Sequence, residues 1–311
     1  MSKWTANDIP DQSGRTILIT GANSGLGLSS ATTLAAKGAR ILLACRSAER
    51  GAAALDQVVR AATAEPPELV TLDLADLSSV RKAAEDIRER TGDKLHVLMN
   101  NAGVMGLPLR RTADGFEAQI GTNHFGHAAL TWLLMPALRA TGAARVVTLS
   151  SLAHLRGGLR VDDPNFELRR YDPATGYGQS KLANLLFAFE LNRRLGKAGS
   201  DVLSVAAHPG FTKSELSTNM ARARGSRLLE RGSELVNRVI SQDTATGTLP
   251  QLYAATMPDV RGGEYFGPSG VLELFGSPRR ARASANARDQ VLARRLWVVT
   301  AELTGVTPDP S

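Results

Sequence analysis

What this chain has little of already excludes several classes of protein. Its single cysteine, Cys45, excludes an internal disulfide and any metal site built from several cysteines. No apolar run reaches the ~18 residues that a membrane-spanning helix needs, and residues 1–12 contain no hydrophobic signal core. We therefore expect a soluble, cytoplasmic protein in which Cys45 packs in the core.

The charge of the chain raises the question of nucleic acid. Its 311 residues include 37 Lys and Arg against 30 Asp and Glu, a net charge of +7. Much of the excess lies in arginines between residues 222 and 231 and between residues 279 and 295. Few aromatic residues accompany these arginines, and no known nucleic-acid-binding module surrounds them. We interpret them as a solvated surface and predict no nucleic-acid partner; steeply salt-dependent DNA affinity would contradict this.

Short apolar runs alternate with longer amphipathic ones from Arg15 to about Ala255. The predicted strands are Ile17–Thr20, Arg40–Ala44, Glu68–Leu72, Leu95–Asn100, Arg145–Leu149, Val202–Ala206 and Gly263–Phe266. The predicted helices are Leu26–Lys37, Ala48–Ala61, Ser78–Arg90, Phe116–Leu138 and Gly178–Leu195. This alternation predicts an α/β, Rossmann-like, three-layer doubly wound fold, with a central parallel sheet of about seven strands and helices on both faces.

The chain contains no linker long enough to separate two domains, so we predict one domain over residues 1–311. Two long segments interrupt the alternation, His154–Thr175 and Lys213–Gln242. Both are expected near the carboxyl ends of strands, where open sheets bind ligands. We predict that residues 213–242 form a substrate lid, whose leucines either line an apolar pocket or pack on the core. Residues 267–311 form a carboxyl-terminal extension.

A glycine-rich turn directly follows the first predicted strand and opens the first helix, with the spacing Gly-x-x-x-Gly-x-Gly. Glycine permits a tight turn and lets backbone N–H groups approach a pyrophosphate at the positive end of the helix. The turn therefore predicts a dinucleotide site. Its cofactor-binding residues are predicted to be Gly21, Asn23, Ser24, Gly25, Leu26 and Gly27.

The end of the second strand indicates which dinucleotide is bound. An acidic residue there would hold the ribose 2′-hydroxyl of NAD, whereas this chain has Cys45-Arg46-Ser47. The guanidinium of Arg46 can bind the 2′-phosphate of NADP through two hydrogen bonds. A solvent-facing arginine at a strand end is the alternative interpretation. We predict NADP(H) as the cofactor.

The ends of the third and fourth strands also carry residues suited to a nucleotide. Asp73, followed by Leu74, could accept a hydrogen bond from the adenine amino group, although an aspartate after a strand equally often caps a helix. Asn101, Ala102 and Gly103 are small enough to let the backbone pass close to the cofactor.

Tyr177 and Lys181 form a candidate catalytic pair, because residues four apart on a helix share one face. A tyrosine normally titrates near pH ~10 and is a poor acid or base at neutrality. An ammonium ~4 Å away would stabilise the phenolate by about 4 kcal/mol at an effective dielectric of ~20, which lowers the tyrosine pKa by roughly 3 units. The spacing by itself is common by chance, with the lysine a solvated surface residue.

Taken together, these motifs resemble the short-chain dehydrogenase/reductase family over Arg15–Phe266. They occur in the family's order: the glycine turn, Asp73-Leu74, Asn100-Asn101-Ala102-Gly103, Asn123, Ser150-Ser151, Tyr177 with Lys181, and His208-Pro209-Gly210. Leu43-Ala44-Cys45-Arg46 and Thr122-Asn123-His124-Phe125-Gly126-His127 further resemble its retinol dehydrogenase and protochlorophyllide reductase-like branch. That branch typically acts on lipophilic alcohols and carbonyls with NADP(H); light-driven protochlorophyllide reduction is disfavoured, because it relies on additional cysteines.

The resemblance implies a role for each catalytic residue. Tyr177 would give a proton to a carbonyl oxygen or take one from an alcohol, and Lys181 would lower the pKa of Tyr177 and bind the nicotinamide ribose. Ser151 would hold the substrate oxygen, and Asn123 would hold a water that relays protons through Lys181. Gly210, Phe211 and Thr212 would contact the nicotinamide carboxamide, and Pro209, in the same turn, is a further cofactor-binding candidate.

Some alternatives stay open at this point. Family register favours Ser151 over Ser150, but 26 residues separate Ser151 from Tyr177, about twice the usual distance, so Leu155–Thr175 is interpreted as an inserted active-site loop. A non-catalytic protein that senses NADP(H) is the alternative function. We expect a small lipophilic carbonyl or alcohol as substrate, no metal, and a homodimer or homotetramer formed through the helices near Phe116–Leu138 and Gly178–Leu195.

Overall fold

The computed structural model describes residues 3–211 and 243–310, within which one twisted sheet of eight strands runs through the molecule. The strands are β1 (Thr16–Thr20), β2 (Arg40–Cys45), β3 (Glu68–Thr71), β4 (Val97–Asn100), β5 (Arg145–Leu149), β6 (Leu203–Ala207), β7 (Tyr265–Pro268) and β8 (Pro278–Arg280). Their order is β3-β2-β1-β4-β5-β6-β7-β8. All neighbours are parallel except β7 and β8. The predicted Rossmann-like fold is confirmed, with the antiparallel β8 added by the extension.

Helices cover both faces of the sheet. The long helices of the described residues are α1 (Gly25–Ala36), α2 (Ala48–Ala61), α3 (Leu77–Thr91), α4 (Gly126–Arg139), α5 (Pro173–Lys197), α6 (Thr244–Thr256) and α7 (Gln290–Thr304). Alternate strand residues serve the two faces: Leu18 packs with α3, α4 and α5, whereas Ile17 and Ile19 pack with α1, α2 and α6. Cys45 is buried on the same side of the sheet as Ile17 and Ile19, and burial raises the pKa of its thiol to about 11.

The crossover direction reverses between β1 and β4, which are neighbours in the sheet although β2 follows β1 in the chain. A sheet of this kind opens a crevice at the carboxyl ends of the strands where the direction changes. The glycine turn after β1 and the Asn101–Gly103 segment after β4 both lie at this crevice.

Two helix starts differ from the predictions. Helix α5 begins at Pro173 rather than Gly178, because the Asp172 side chain accepts a hydrogen bond from the Thr175 backbone N–H (2.8 Å) and proline suits the first helical position. The inserted loop is therefore shorter than predicted, and Tyr177 lies in the second turn of α5. The helix predicted from Phe116 begins with one turn at Ala118–Ile120 and five π-helical residues, Gly121–Phe125, before α4.

The carboxyl-terminal extension packs on α4 and α5. Trp297 of α7 stacks on Phe187 of α5, with ring centroids 5.5 Å apart, and meets the Trp132 ring of α4 edge-on at 5.0 Å. Thr300 hydrogen-bonds to the His124 ring (3.0 Å). The helices that were expected to pair two subunits are thus covered by α7 of the same chain. The predicted lid, residues 213–242, lies outside the described residues.

Candidate active site

The glycine turn is held against the segment that follows β4. Gly21 has a φ of +66°, and a Cβ on it would lie 2.9 Å from the Cα of Ala102, so only glycine fits here. A Cβ on Gly27 would overlap the Gly21 carbonyl oxygen. The turn is therefore as tight as its three glycines predict.

The amino end of α1 is suited to an anion. Its cap residue, Ser24, makes no side-chain capping hydrogen bond, so the first N–H groups of α1 lack this partner. The neighbouring Gly25 is exposed, with nothing within 4 Å of the position where a Cβ would be. Asn23 and Leu26 are half-buried beside it. A pyrophosphate satisfies N–H groups of this kind, so these residues fit the dinucleotide predicted for them.

Thr20 connects the glycine turn to the interior through hydrogen bonds that the sequence did not reveal. Its Oγ1 accepts from the backbone N–H groups of Asn101 and Ala102, both at 2.9 Å, and lies 2.9 Å from Nε2 of His127. Because Nδ1 of His127 lies 2.9 Å from the Asn123 carbonyl oxygen, the ring proton is on Nδ1, and Thr20 donates to Nε2. Burial lowers the pKa of His127 to about 4, which keeps the ring neutral.

The two strand ends predicted to meet the rest of the nucleotide differ in their surroundings. Arg46 is exposed directly after β2 and forms no ion pair with the described residues. Asp73 is half-buried, and its Oδ1 accepts a hydrogen bond from the Ala75 N–H (2.9 Å), while Leu74 is buried. Arg46 is thus available to an anion, whereas one Asp73 oxygen already stabilises the turn after β3.

The catalytic candidates meet where α5 passes the end of β5. Ser150 is buried and donates its hydroxyl to the Lys181 carbonyl oxygen (2.8 Å), whereas the Ser151 side chain hydrogen-bonds to Tyr177. Lys181 donates from Nζ to the Leu149 carbonyl oxygen (3.2 Å), and its Nζ lies 5.7 Å from the centroid of the Tyr177 ring. Of the two serines, Ser151 is the one beside the tyrosine.

The pKa values of this pair differ from the expectation. Burial raises the pKa of Tyr177 to about 12, and the hydrogen bond with Ser151 only partly opposes it. Burial also lowers the pKa of Lys181 to about 8. The expected depression of the tyrosine pKa assumed an ammonium ~4 Å from the phenol oxygen. In the structure the Lys181 Nζ lies 5.7 Å from the centroid of the Tyr177 ring and donates to the Leu149 carbonyl oxygen, and burial dominates the pKa of the phenol.

Asn123 links the segment after β4 to α5. It lies in the π-helical stretch, a local irregularity frequent at functional sites. Its side-chain amide accepts from the Val104 N–H (2.8 Å), donates to the Val104 carbonyl (2.9 Å) and donates to the Ser180 hydroxyl (2.9 Å). A Cβ on Gly103 would lie 3.3 Å from Oδ1 of Asn123 and 3.4 Å from Nζ of Lys181, so Gly103 leaves room for both.

The turn after β6 carries the remaining cofactor candidates. Gly210 has a φ of +71°, and Pro209 precedes it at the carboxyl end of β6, next to β5 and its Ser151. Thr212 lies outside the described residues.

Gln179 of α5 connects the inserted loop to this helix. It lies between Tyr177 and Lys181, and the sequence alone does not mark it as a site residue. Its side chain donates to the Pro164 carbonyl (2.8 Å) and accepts from Arg169, which also pairs with the buried Asp163 (3.2 Å). Tyr171 of the same loop donates to the Leu107 carbonyl (2.8 Å). The loop thus joins α5 to the segment beyond β4.

The structure combines a glycine-rich turn, located where the crossover direction of the sheet changes, with a tyrosine and a lysine on one helix. This combination is typical of nicotinamide-dependent oxidoreductases. The family model described as short chain dehydrogenase matches residues 15–225, more than half of the chain. The chain belongs to the short-chain dehydrogenase/reductase family, whose members use NAD or NADP.

Individual relatives indicate the branch of the family to which the chain is most similar. The chain is 41% identical over 299 residues to retinol dehydrogenase 12 of Mus musculus, covering 94% of this chain and 87% of that protein. It is 38% identical over 295 residues to retinol dehydrogenase 13 of Homo sapiens, covering 94% and 85%. A crystal structure of an uncharacterized protein from Mycobacterium paratuberculosis superposes with a TM-score of 0.81 at 40% identity, covering 98% of each chain. The predicted family and its retinol dehydrogenase-like branch are confirmed. No helix of the described residues is long and apolar enough to cross a membrane.

Proposed function

We propose that this oxidoreductase transfers hydride between NADP(H) and a lipophilic alcohol or carbonyl, with Tyr177 as the acid or base. The observation that carries the proposal is the convergence of Ser151 and Lys181 on Tyr177 at the end of β5. The bound nicotinamide supplies or accepts the hydride. The hydroxyls of Ser151 and Tyr177 both donate hydrogen bonds to the substrate oxygen. Tyr177 then transfers its proton to that oxygen as negative charge develops there. Lys181 stabilises the charge then left on Tyr177.

The experiment that tests this function follows NADPH absorbance with a panel of aldehydes and ketones of increasing chain length. We expect turnover that improves with chain length, and a loss of ~100- to 10,000-fold in Tyr177→Phe. Tyr253→Phe is the matched control, because Tyr253 lies in α6 and donates its hydroxyl to Asp259 in the segment after that helix, with no contact to Tyr177. Activity that survives in Tyr177→Phe would remove the tyrosine from the mechanism. NADPH binding without turnover would instead favour the sensing protein.

The proposed preference for NADP(H) rests on Arg46, which is exposed and unpaired among the described residues at the end of β2. Arg46→Asp should lower the ratio of NADPH to NADH efficiency by about tenfold or more, because a charge-assisted hydrogen bond to the 2′-phosphate becomes a repulsion. Arg60→Asp, in the last turn of α2, makes the same charge change away from the turn. An unchanged ratio in Arg46→Asp would show that the arginine does not bind the phosphate.

The lipophilic substrate is proposed from two observations. The relatives named above are retinol dehydrogenases, and retinol is a lipophilic alcohol. In this chain the segment from β5 to α5, which connects Ser151 to Tyr177, exposes two apolar side chains: Leu155 is 60% and Leu168 is 83% exposed. Short polar aldehydes that are reduced as efficiently as long apolar ones would contradict this part of the proposal.

A further inference from the structure

The loop that follows β7, residues 270–276, has an inverted polarity. Its apolar side chains face solvent, with Val271 70%, Leu272 77% and Phe275 44% exposed. Its one acidic side chain, Glu273, is only 13% exposed. Exposed apolar side chains do not contribute the stability that their burial would give, and burying a carboxylate without partners costs free energy. The position of Glu273 therefore requires an explanation.

The backbone of the loop is also strained so that Glu273 points inward. Leu272 has φ +53° and ψ +22°, and Glu273 has φ +57°, the left-handed region that side chains with a Cβ disfavour. Two successive residues of this kind persist only where other contacts hold them, and such strain is concentrated at functional positions.

The contact that holds Glu273 leads directly to the turn after β6. Its Oε2 lies 3.1 Å from Nε2 of the fully buried His208, whose Nδ1 accepts a hydrogen bond from the Gly210 N–H (3.2 Å). The ring proton is therefore on Nε2, and His208 donates it to Glu273. Gly267 of β7 packs directly against the His208 ring, and a Cβ on this glycine would overlap the ring. The carboxylate, the imidazole and the Gly210 amide thus form one rigid chain of hydrogen bonds.

Two further contacts fix the same turn on the loop. The Phe211 N–H donates to the Leu274 carbonyl oxygen (2.8 Å), and a Cβ on Gly210 would overlap that oxygen. The other oxygen of Glu273 is engaged by the Arg282 N–H (3.3 Å) and by Arg279 (3.5 Å). Together with the histidine, these partners keep the pKa of Glu273 below its usual value although burial opposes them.

We propose that Glu273 is a positioning residue for the nicotinamide half of the cofactor. It acts through His208 on the Pro209–Gly210 turn, so that the carboxyl-terminal extension sets the geometry in which hydride is transferred. This proposal rests on the proposed function, because the turn acts on the nicotinamide only if the chain binds NADP(H). It goes beyond that function in assigning a role to an acid outside the residues that the family resemblance names.

The test compares two ligands by calorimetry: NADPH, and 2′-phospho-ADP-ribose, which lacks the nicotinamide. Glu273→Ala should weaken NADPH about tenfold and lower kcat, while affinity for the fragment stays unchanged. Glu273→Gln should retain most of the NADPH affinity and most of kcat, because an amide oxygen accepts the same hydrogen bond from His208. Glu264→Ala is the matched control, since Glu264 pairs with Arg280 at the opposite end of β7.

The possible outcomes separate this proposal from the proposed function. Unchanged NADPH affinity and kcat in Glu273→Ala, or an equal loss for both ligands, would overturn the positioning role. A wild-type protein that binds neither ligand would instead overturn the proposed function. If Glu273→Ala does not fold, Glu273→Asp, whose shorter side chain cannot reach His208, should show the same selective loss for NADPH.

Discussion

At the scale of single residues, the protonation state of Tyr177 determines which direction of the proposed reaction, reduction or oxidation, it can assist at neutral pH. With a pKa raised to about 12 by burial, the phenol keeps its proton and can give it to a carbonyl oxygen. Oxidation of an alcohol would first require that proton to leave. In the proposed mechanism, a protonated Tyr177 suits reduction at neutral pH, and a charged Lys181 would stabilise the phenolate that reduction leaves behind.

We therefore expect kcat/KM for reduction to be level through neutral pH and to fall above about 8, where buried Lys181 loses its proton. Lys181→Arg keeps a positive charge at all these pH values. This variant should be slower but should lose the fall above pH 8. Rate measurements across pH with both proteins test this, and an identical alkaline limb in the two would exclude Lys181 as its origin.

The buried histidines predict sensitivity to acid. Burial lowers the pKa of His124 to about 3 and that of His127 to about 4, from 6.5. Below pH 6.5 the unfolded chain therefore binds more protons than the folded one, so stability falls as pH falls, by up to about 1.4 kcal/mol per pH unit for each ring. Urea unfolding at several acidic pH values should show this slope. His127→Gln should make the slope shallower, and an unchanged slope would contradict the assignment.

At the scale of elements, the position of Ser151 relative to Tyr177 depends on a contact between two short backbone segments. The 3₁₀ helix Leu152–Arg156 directly follows Ser151 and packs on the start of α5. A Cβ on Gly178 would lie 2.9 Å from the Ala153 carbonyl oxygen and 3.2 Å from the Cα of Gly157. Both neighbours are backbone atoms of the segment that Ser151 begins as the cap residue, so an added methyl group would have to displace that segment.

Gly178→Ala should therefore cost about 1–3 kcal/mol of unfolding free energy and lower kcat by about tenfold or more, because Ser151 shifts away from Tyr177. Gly196→Ala lies in the last turn of the same helix, where a Cβ would meet nothing within 4 Å. It should stabilise the protein by about 0.5–1 kcal/mol and leave kcat unchanged. Equal kcat values for the two variants would contradict the positioning role of this contact.

The elements could be predicted from the sequence where local chemistry decides them. Buried strands such as Arg40–Cys45 are short runs of apolar residues, and their predicted bounds lie within two residues of the observed ones. The start of α5 differs from the prediction although Asp172 and Pro173 are local signals, because the polar composition of the segment before Tyr177 is equally typical of a loop. The π-helical stretch at Gly121–Phe125 has no such local signal, because its geometry depends on the tertiary contacts of Asn123.

At the scale of the whole molecule, the candidate site combines motifs that are visible in the sequence with supports that are not. Tyr177, Lys181 and the glycine turn have fixed spacings. Thr20 and Glu273 instead act through partners 107 and 65 residues away in the chain. Only the fold brings such pairs together, and neither a lone threonine nor a lone glutamate marks itself by residue type. The supporting hydrogen bonds of this site could therefore not be predicted.

The covering of α4 and α5 argues against pairing through these helices. Every residue of α5 from Gly178 to Leu191 is buried within one chain, and Trp297 of α7 closes the cluster around Phe187 and Trp132. A second copy could reach this face only if α7 left it, which would expose three large aromatic side chains to water. The intramolecular helix thus occupies the place where a partner subunit was expected.

We therefore expect a monomer of 33.1 kDa by light scattering at micromolar concentration, in place of the homodimer or homotetramer expected from the family. A species of twice that mass would contradict this. Such a dimer could form either through the outer face of α7, where Val291 is 60% and Val298 is 51% exposed, or through α4 and α5 after α7 has left them. Val298→Arg distinguishes the two cases, because a charge on that face would dissociate such a dimer. A dimer that survives the substitution and loses the stacking of Trp297 on Phe187, as read from tryptophan fluorescence, would show that α7 gives way to a second copy.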